Sequence, residues 1–373
     1  MHSLYPWQTE LWRKLGPRGI SLGHALLLRG RKGLGKLAFA SYLAKSRLCE
    51  GPSVKGEPCE VCSSCHWFEQ GSHPDFRLVE PEAISAKPGL PGLSDDNAGG
   101  MLADTAPGDG IESATEGAAT EPGGLKSRKK TGKQISVGQI RNLADFINTS
   151  THRNGYRILL IHPAEAMNLS AANALLKSLE EPPTRTLFIL VTHQPQHLLA
   201  TIRSRCHQIA MPAPGATAAI TWLRQQGAKN PEMCLASAGY APLAALEFDD
   251  AGYLEQHRIF IRQISAPVNL SPIALAEEMQ NSDLPTVVNW LQKWCYDLMS
   301  FRTTGKIRYH LDMPDAVESV ALNIDPPSLA CYIRTLIDTK QLANHPLNAR
   351  LFLEEMLFSY AMALFPERSA RID

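Results

Sequence analysis

Residues Gly30 to Leu37 read Gly-Arg-Lys-Gly-Leu-Gly-Lys-Leu and follow the apolar run His24-Ala25-Leu26-Leu27-Leu28. An apolar strand feeding a glycine-rich turn and then a helix belongs to an α/β layout with a parallel sheet. The helix is predicted over Lys36 to Leu48, with Ala40, Leu43, Ala44 and Leu48 at helical spacing. Its N-terminal end opens at the loop, so its dipole faces any bound phosphate. Gly30, Gly33, Gly35 and Lys36 are therefore candidate nucleotide-binding residues. The loop fits the pattern G-x-x-x-x-G-K-[S/T] up to its last position, where Leu37 replaces the hydroxyl residue. In a working loop, backbone N–H groups cradle phosphates, the lysine reaches the terminal ones and the hydroxyl holds Mg²⁺. Leucine offers a metal no oxygen.

A second metal function is missing further along. Arg157-Ile158-Leu159-Leu160-Ile161 is an apolar, β-branched segment and reads as a buried parallel strand. Nucleotide hydrolysis in this layout calls for a carboxylate at the strand's end, to bind Mg²⁺ and orient water. Here the strand runs into His162 and Pro163. Glu165 lies past the strand end and is expected to point elsewhere. Two losses at two separate places argue that any bound ATP is not hydrolysed by this chain; binding without turnover stays open.

Four of the eight cysteines cluster as Cys49, Cys59, Cys62 and Cys65. Four thiolates at this spacing suit a closed structural Zn²⁺ site, and the adjacent His66 is not needed as a ligand. The alternative, four unliganded surface thiols, would be prone to oxidation. Cys206, Cys234, Cys295 and Cys331 are expected to be small buried hydrophobes.

A chain of 373 residues is too long for one core and predicts two or three domains. Its formal net charge of zero supplies no global field toward nucleic acid or membrane. No apolar run approaches the roughly 20 residues needed to span a bilayer. The first residues lack a signal-peptide pattern, so a cytoplasmic location is expected.

Phe76-Arg77-Leu78-Val79 and Leu187 to Val191 are further predicted strands. Ile140, Leu143, Ala144 and Ile147 carry helical spacing, and Ser170 is expected to cap a helix that Pro182-Pro183 stops. Between about Glu82 and Lys133 the chain is rich in Gly, Ala, Pro, Ser and acids, a composition expected to stay disordered. That stretch ends in a basic cluster from Lys126 to Lys133, either a solvated charge run or a weak phosphate-backbone contact. Beyond about Pro212 strand signals largely vanish. Ile259–Ile264, Val287–Tyr296, Leu329–Leu342 and Ala349–Leu364 predict an all-helical remainder.

Asn173-Ala174-Leu175-Leu176-Lys177-Ser178-Leu179-Glu180-Glu181-Pro182-Pro183, followed by Thr201-Ile202-Arg203-Ser204-Arg205-Cys206, resembles the signature of bacterial clamp-loader AAA+ subunits of DNA polymerase III. The cysteine spacing resembles the same group. The resemblance is good from Trp7 to about Cys206 and looser beyond, through Asn344-His345-Pro346-Leu347-Asn348-Ala349-Arg350. The stretch 82–133 has no counterpart in the family pattern. The motor subunits gamma/tau share these motifs but keep the loop hydroxyl and the acidic strand end. The missing metal ligands thus imply the non-hydrolysing branch.

The resemblance implies a RecA-like α/β AAA+ domain over residues 1–211 carrying a zinc module at 49–65. It implies a helical lid over 212–252 and an all-helical collar over 253–373, whose apolar faces would be interface. It makes Arg205 an arginine finger, inserted in trans at the γ-phosphate of ATP on a neighbouring motor subunit. A permanently charged planar fork suits that task. The plainer alternative is a surface arginine paired with an acid. Thr192 falls at the family's first sensor position. Ala238 to Leu246 resembles the lid helix without its expected arginine. Implied partners are gamma/tau, delta, the sliding clamp and primed DNA, within the polymerase III holoenzyme. Two other function classes compete: an ATP-hydrolysing motor of the same family, and a free zinc-dependent nucleic-acid-binding module.

Overall fold

A computed structural model describes residues 4–15, 23–85, 132, 134–148, 155–248, 251–266, 270–343, 345 and 347–364. The chain divides into two compact units, residues 1–31 with 35–212, and residues 32–34 with 213–373.

The first unit opens with a 3-10 turn, Pro6–Gln8, and helix α1, Thr9–Leu15. It continues through β1 (Ala25–Arg29), α2 (Lys36–Leu48), α3 (Ser63–Glu69), β2 (Phe76–Val79) and α4 (Glu82–Ser85). Then come α5 (Val137–Asn148), β3 (Arg157–Ile161), α6 (Leu169–Glu180), β4 (Thr186–Thr192), α7 (Ala200–Arg205) and β5 (His207–Ala210). The five strands form one parallel sheet in the order β2-β3-β4-β1-β5. Every residue of β3 and β4 is buried, as an inner parallel strand covered on both faces requires. Because β1 lies between β4 and β5, the carboxyl ends of β1, β3 and β4 converge at the crossover, the usual position of a ligand crevice. One face is closed by α5, α6 and α7, whose Ile140, Leu143, Leu175, Leu179 and Ile202 share a core with Leu159, Ile161, Phe188 and Leu190.

The predicted strands β1 to β4 and helix α2 are present within a residue of their expected bounds. Strand β5 was not foreseeable by hydropathy: only Ile209 of its four residues is buried, as befits an edge strand. The cap of α6 is Asn168, not Ser170. The Asn168 side chain accepts from the Ala171 N–H, and the Asn168 N–H donates to the Ile135 carbonyl, holding residue 168 extended. The stretch expected to be disordered and its basic cluster lie outside the described residues, except at the edges. There Glu82–Ser85 is helical and the Ala83 N–H donates to the Gly132 carbonyl at 3.1 Å, so the two ends of the stretch meet.

In the second unit every described element is a helix: α8 (Ala216–Gln225), α9 (Pro231–Ser237), α10 (Pro242–Glu247), α11 (Ala251–Ile264), α12 (Pro272–Met279), α13 (Leu284–Thr304), α14 (Pro314–Leu322), α15 (Pro326–Leu342) and α16 (Ala349–Leu364). None of the described helices is long and apolar enough to cross a membrane. One small core gathers Ala219, Leu223, Cys234, Leu235, Ala245 and Leu254. A larger one runs from Phe260 to Leu364 around Trp290 and Trp294. The segment Ala238 to Leu246 is not one helix, because Gly239 and Tyr240 adopt φ of 64° and 65° and separate α9 from α10. Cys206, Cys234 and Cys295 are buried, but Cys331 on α15 is exposed, contrary to expectation. Asn344 and Pro346 of the looser family motif lie outside the described residues.

Candidate functional site

The predicted loop joins β1 to α2. Gly35 caps α2 in the left-handed region at φ 76°, a conformation that favours glycine. The loop is closed on itself. Lys36, 2% exposed, donates from Nζ to the carbonyls of Gly30 at 2.7 Å and Arg31 at 2.6 Å. Burial pulls its pKa down to about 8, opposed by the Glu165 carboxylate. The N-terminal segment covers the loop from outside. Buried Gln8 donates from Nε2 to the Gly35 carbonyl at 2.9 Å, and its Oε1 accepts from the Tyr5 N–H at 3.2 Å. A Cβ at Gly35 would stand 2.6 Å from the Tyr5 ring, which stacks on Trp7 with centroids 5.0 Å apart. Leu37 is half-buried at the start of α2.

At the end of β3, His162 pairs through Nδ1 with Glu80 Oε1 at 2.8 Å. Its ring meets His193 edge-on at 5.4 Å. Glu165 does not point away, as expected, but turns back toward this crevice. Its Oε1 accepts from the His193 N–H at 2.9 Å and its charge is felt by Lys36. Thr192, fully buried, accepts at Oγ1 from the Gln194 N–H at 3.2 Å. Among the described residues, Glu80 and Glu165 are each held through one oxygen within the chain, and β3 itself ends in His162 and Pro163.

The four predicted cysteines come together. Cys49 caps the C-terminus of α2 and Cys62 the N-terminus of α3. The sulfurs of Cys49, Cys59, Cys62 and Cys65 all lie within 4.8 Å of one another, with Cys49 and Cys62 4.0 Å apart. Zn–S bonds of about 2.3 Å in a tetrahedron set sulfurs about 3.8 Å apart, so the cluster can hold a metal ion. Backbone N–H groups point at the sulfurs, from Cys59 to Cys49 at 3.2 Å and from Cys65 to Cys62 at 3.4 Å. N–H groups of Val61 and Cys62 lower the Cys59 thiol to about 6, whereas burial raises Cys49 and Cys65. Buried sulfurs that resist ionising alone are suited to a cation that compensates the charge. Lys45, one turn before Cys49, adds a fixed positive charge. Burial opposes its ammonium, but Glu69 at 2.7 Å and Glu60 at 3.7 Å raise its pKa above the ordinary value. His66 is exposed, outside the cluster.

Arg205 ends α7. Its Nη2 pairs with Glu180 Oε1 at 2.5 Å and its Nη1 donates to the Thr201 carbonyl at 3.0 Å. The acid pairing named above as the plainer alternative is therefore present within the chain. Glu180 is the sequence-distant partner that pattern alone did not single out.

Residues 18–214 match the family described as DNA polymerase III, delta subunit, and residues 252–361 match DNA polymerase III, delta subunit, C terminal. The chain is 33% identical over 310 residues to DNA polymerase III subunit delta' of Pseudomonas aeruginosa, covering 82% of this chain and 80% of that one. The chain belongs to the DNA polymerase III delta' subunit family. Identity to the delta' subunit of Escherichia coli is 25% over 346 residues, 88% of each chain. The tau subunit of the same organism is 30% identical over 198 residues, 52% of this chain and 23% of tau. The likeness to these two delta' subunits covers 82% and 88% of this chain, and that to tau about half of it.

Proposed function

We propose that this chain is the non-hydrolysing stator of the DNA polymerase III clamp loader. It helps load the sliding clamp onto primed DNA and lends Arg205 in trans to ATP on the neighbouring gamma/tau subunit. The observation that carries the reading is the closed loop: Lys36, the residue that would reach a terminal phosphate, is held by the carbonyls of Gly30 and Arg31. Leu37 and the His162-Pro163 strand end take away the two Mg²⁺ functions as well. Gly30, Gly33, Gly35 and Lys36 are then a structural joint rather than a turnover site. The cysteine centre is read as structural Zn²⁺, bound by Cys49, Cys59, Cys62 and Cys65, with no part in chemistry.

In this reading residues 212–252 form a lid and 253–373 a collar that meets delta and gamma/tau. The second unit has two apolar cores, which supports a division near α11, the helix that gives Leu254 to the smaller core and Phe260 to the larger. On α16, Leu351, Phe358 and Met362 are 61%, 38% and 55% exposed and follow helical spacing along one face, which suits a subunit contact.

The test is the clamp- and DNA-stimulated ATPase of an assembly of gamma/tau, delta and this chain. Arg205→Ala is expected to lower turnover by about tenfold or more with assembly intact, since a trans arginine is worth on the order of 10³ or more in related transfers. Unchanged turnover would sink the finger. Turnover by the purified chain alone would instead favour the motor reading.

A further inference from the structure

Helix α6 closes with Glu180 and the cap residue Glu181. That end is the negative pole of the helix, where cations are favoured and carboxylates are not. A local rule broken without packing gain marks a position under another demand. Here the demand comes from α7. The Arg205 guanidinium sits against Glu180 at 2.5 Å and against the Thr201 carbonyl at 3.0 Å, with the Ser204 hydroxyl at 3.5 Å. The backbone beneath both charges is fixed. Leu179, Ile202 and Cys206 are buried in one core, and the Leu179 carbonyl is 2.9 Å from the His24 ring nitrogen Nε2. The paired side chains themselves are 35% and 50% exposed. An exposed pair of this kind contributes little to stability. Its value is orientation.

Resting on the reading of Arg205 as a trans arginine finger, we infer that Glu180 is the positioning residue for that finger. Glu180 holds one edge of the fork while the Thr201 carbonyl holds another N–H, and the remaining N–H groups are presented outward to phosphoryl oxygens. An arginine carries five N–H donors, so with Glu180, the Thr201 carbonyl and the Ser204 hydroxyl engaging three, two are left to bind the neighbour's phosphate. Anchoring removes in advance the side-chain freedom that insertion would otherwise cost. The pairing also accounts for a glutamate at an end of α6 where the helix dipole disfavours it.

The experiment compares Glu180→Gln, Glu180→Asp, Arg205→Ala and Glu180→Gln with Arg205→Ala in the complete assembly, reading kcat and KM for ATP beside gel filtration. Glu180→Gln keeps the shape of an exposed side chain and is expected to lower kcat roughly fivefold at unchanged KM, the kinetic counterpart of losing one modest ion pair. Glu180→Asp restores part of the loss, and the double variant matches Arg205→Ala alone because Glu180 acts only through Arg205. Wild-type kcat in Glu180→Gln beside a slow Arg205→Ala overturns the inference and leaves the finger standing. A further loss in the double variant, faster turnover, or a broken assembly overturns it too. An Arg205→Ala assembly with normal turnover refutes the finger itself and the inference with it.

Discussion

Asp297→Asn tests how the large helical core is held. Asp297, on α13, is fully buried and is the shared acceptor of a turn that follows the helix. Oδ1 accepts from the Arg308 N–H at 2.9 Å, and Oδ2 from the N–H groups of Tyr309 at 3.0 Å and His310 at 2.8 Å. The His310 ring adds Nδ1 to the same Oδ2 at 2.9 Å. Asparagine keeps one acceptor oxygen and turns an NH₂ toward the other donors. With that oxygen at the Oδ2 position, Tyr309 and His310 keep an acceptor that has lost its charge, and the Arg308 N–H is left facing the NH₂. Hydrogen bonds to a charged acceptor are worth about 1.5–3 kcal/mol each, and buried losses are not additive, so a cost of about 3–5 kcal/mol is expected. With a urea slope of about 2 kcal/mol/M, the midpoint should fall by about 2 M. Near-UV circular dichroism reports on the region directly, because Trp294 packs edge-on against His310 at 5.4 Å and Trp290 against His257 at 5.4 Å. A midpoint shift below about 0.5 M would mean that the carboxylate is not the organiser of the turn.

Two further outcomes follow from named groups. Burial, then the charges of His310, Lys293 and Arg258, pulls the His257 pKa down to about 3. A histidine whose folded value is depressed gives stability that is whole above the unfolded value near 6.5 and declines as pH falls toward 3. Full-chain denaturation at stepped pH should therefore lose up to about 1.4 kcal/mol per unit over that window, and His257→Phe should lessen the slope by about one proton. Should the slope be unaltered, His257 is not the titrating group. Reduced full-length chain should bind one Zn²⁺ per molecule with tetrahedral thiolate character in the Co²⁺-substituted spectrum. Cys62→Ser should weaken that binding and lower the melting temperature; stoichiometric binding that survives Cys62→Ser would remove Cys62 from the centre.

Much of this was legible in residues close together in sequence. The loop announces itself because Gly30, Gly33, Gly35 and Lys36 fall at motif spacing within eight positions next to an apolar strand. The cysteines do so because metal geometry demands short spacings. What escaped depends on neighbours far along the chain. Choosing Asn168 over Ser170 as a cap needs the bond to Ile135, far back in the chain. Glu165 looked idle until β4 brought the His193 N–H to it. Strand β5 buries only Ile209 of its four residues, because an edge strand buries so little. The turn at Gly239-Tyr240 was hidden by flanking alanines and leucines of high helix propensity.

Helix α2 has a consequence of its own. It starts on Gly35 and ends on Cys49, so its 13 residues form a strut about 20 Å long between loop and cysteines. Trp12 wedges against Phe39 and Tyr42 along its length, with centroids 6.1 and 4.9 Å away. A stiff rod does not absorb a disturbance at one end; it delivers it to the other. Loosening the cysteines would tilt Lys36 on its carbonyl seat, and the two sites that look independent in sequence share one lever.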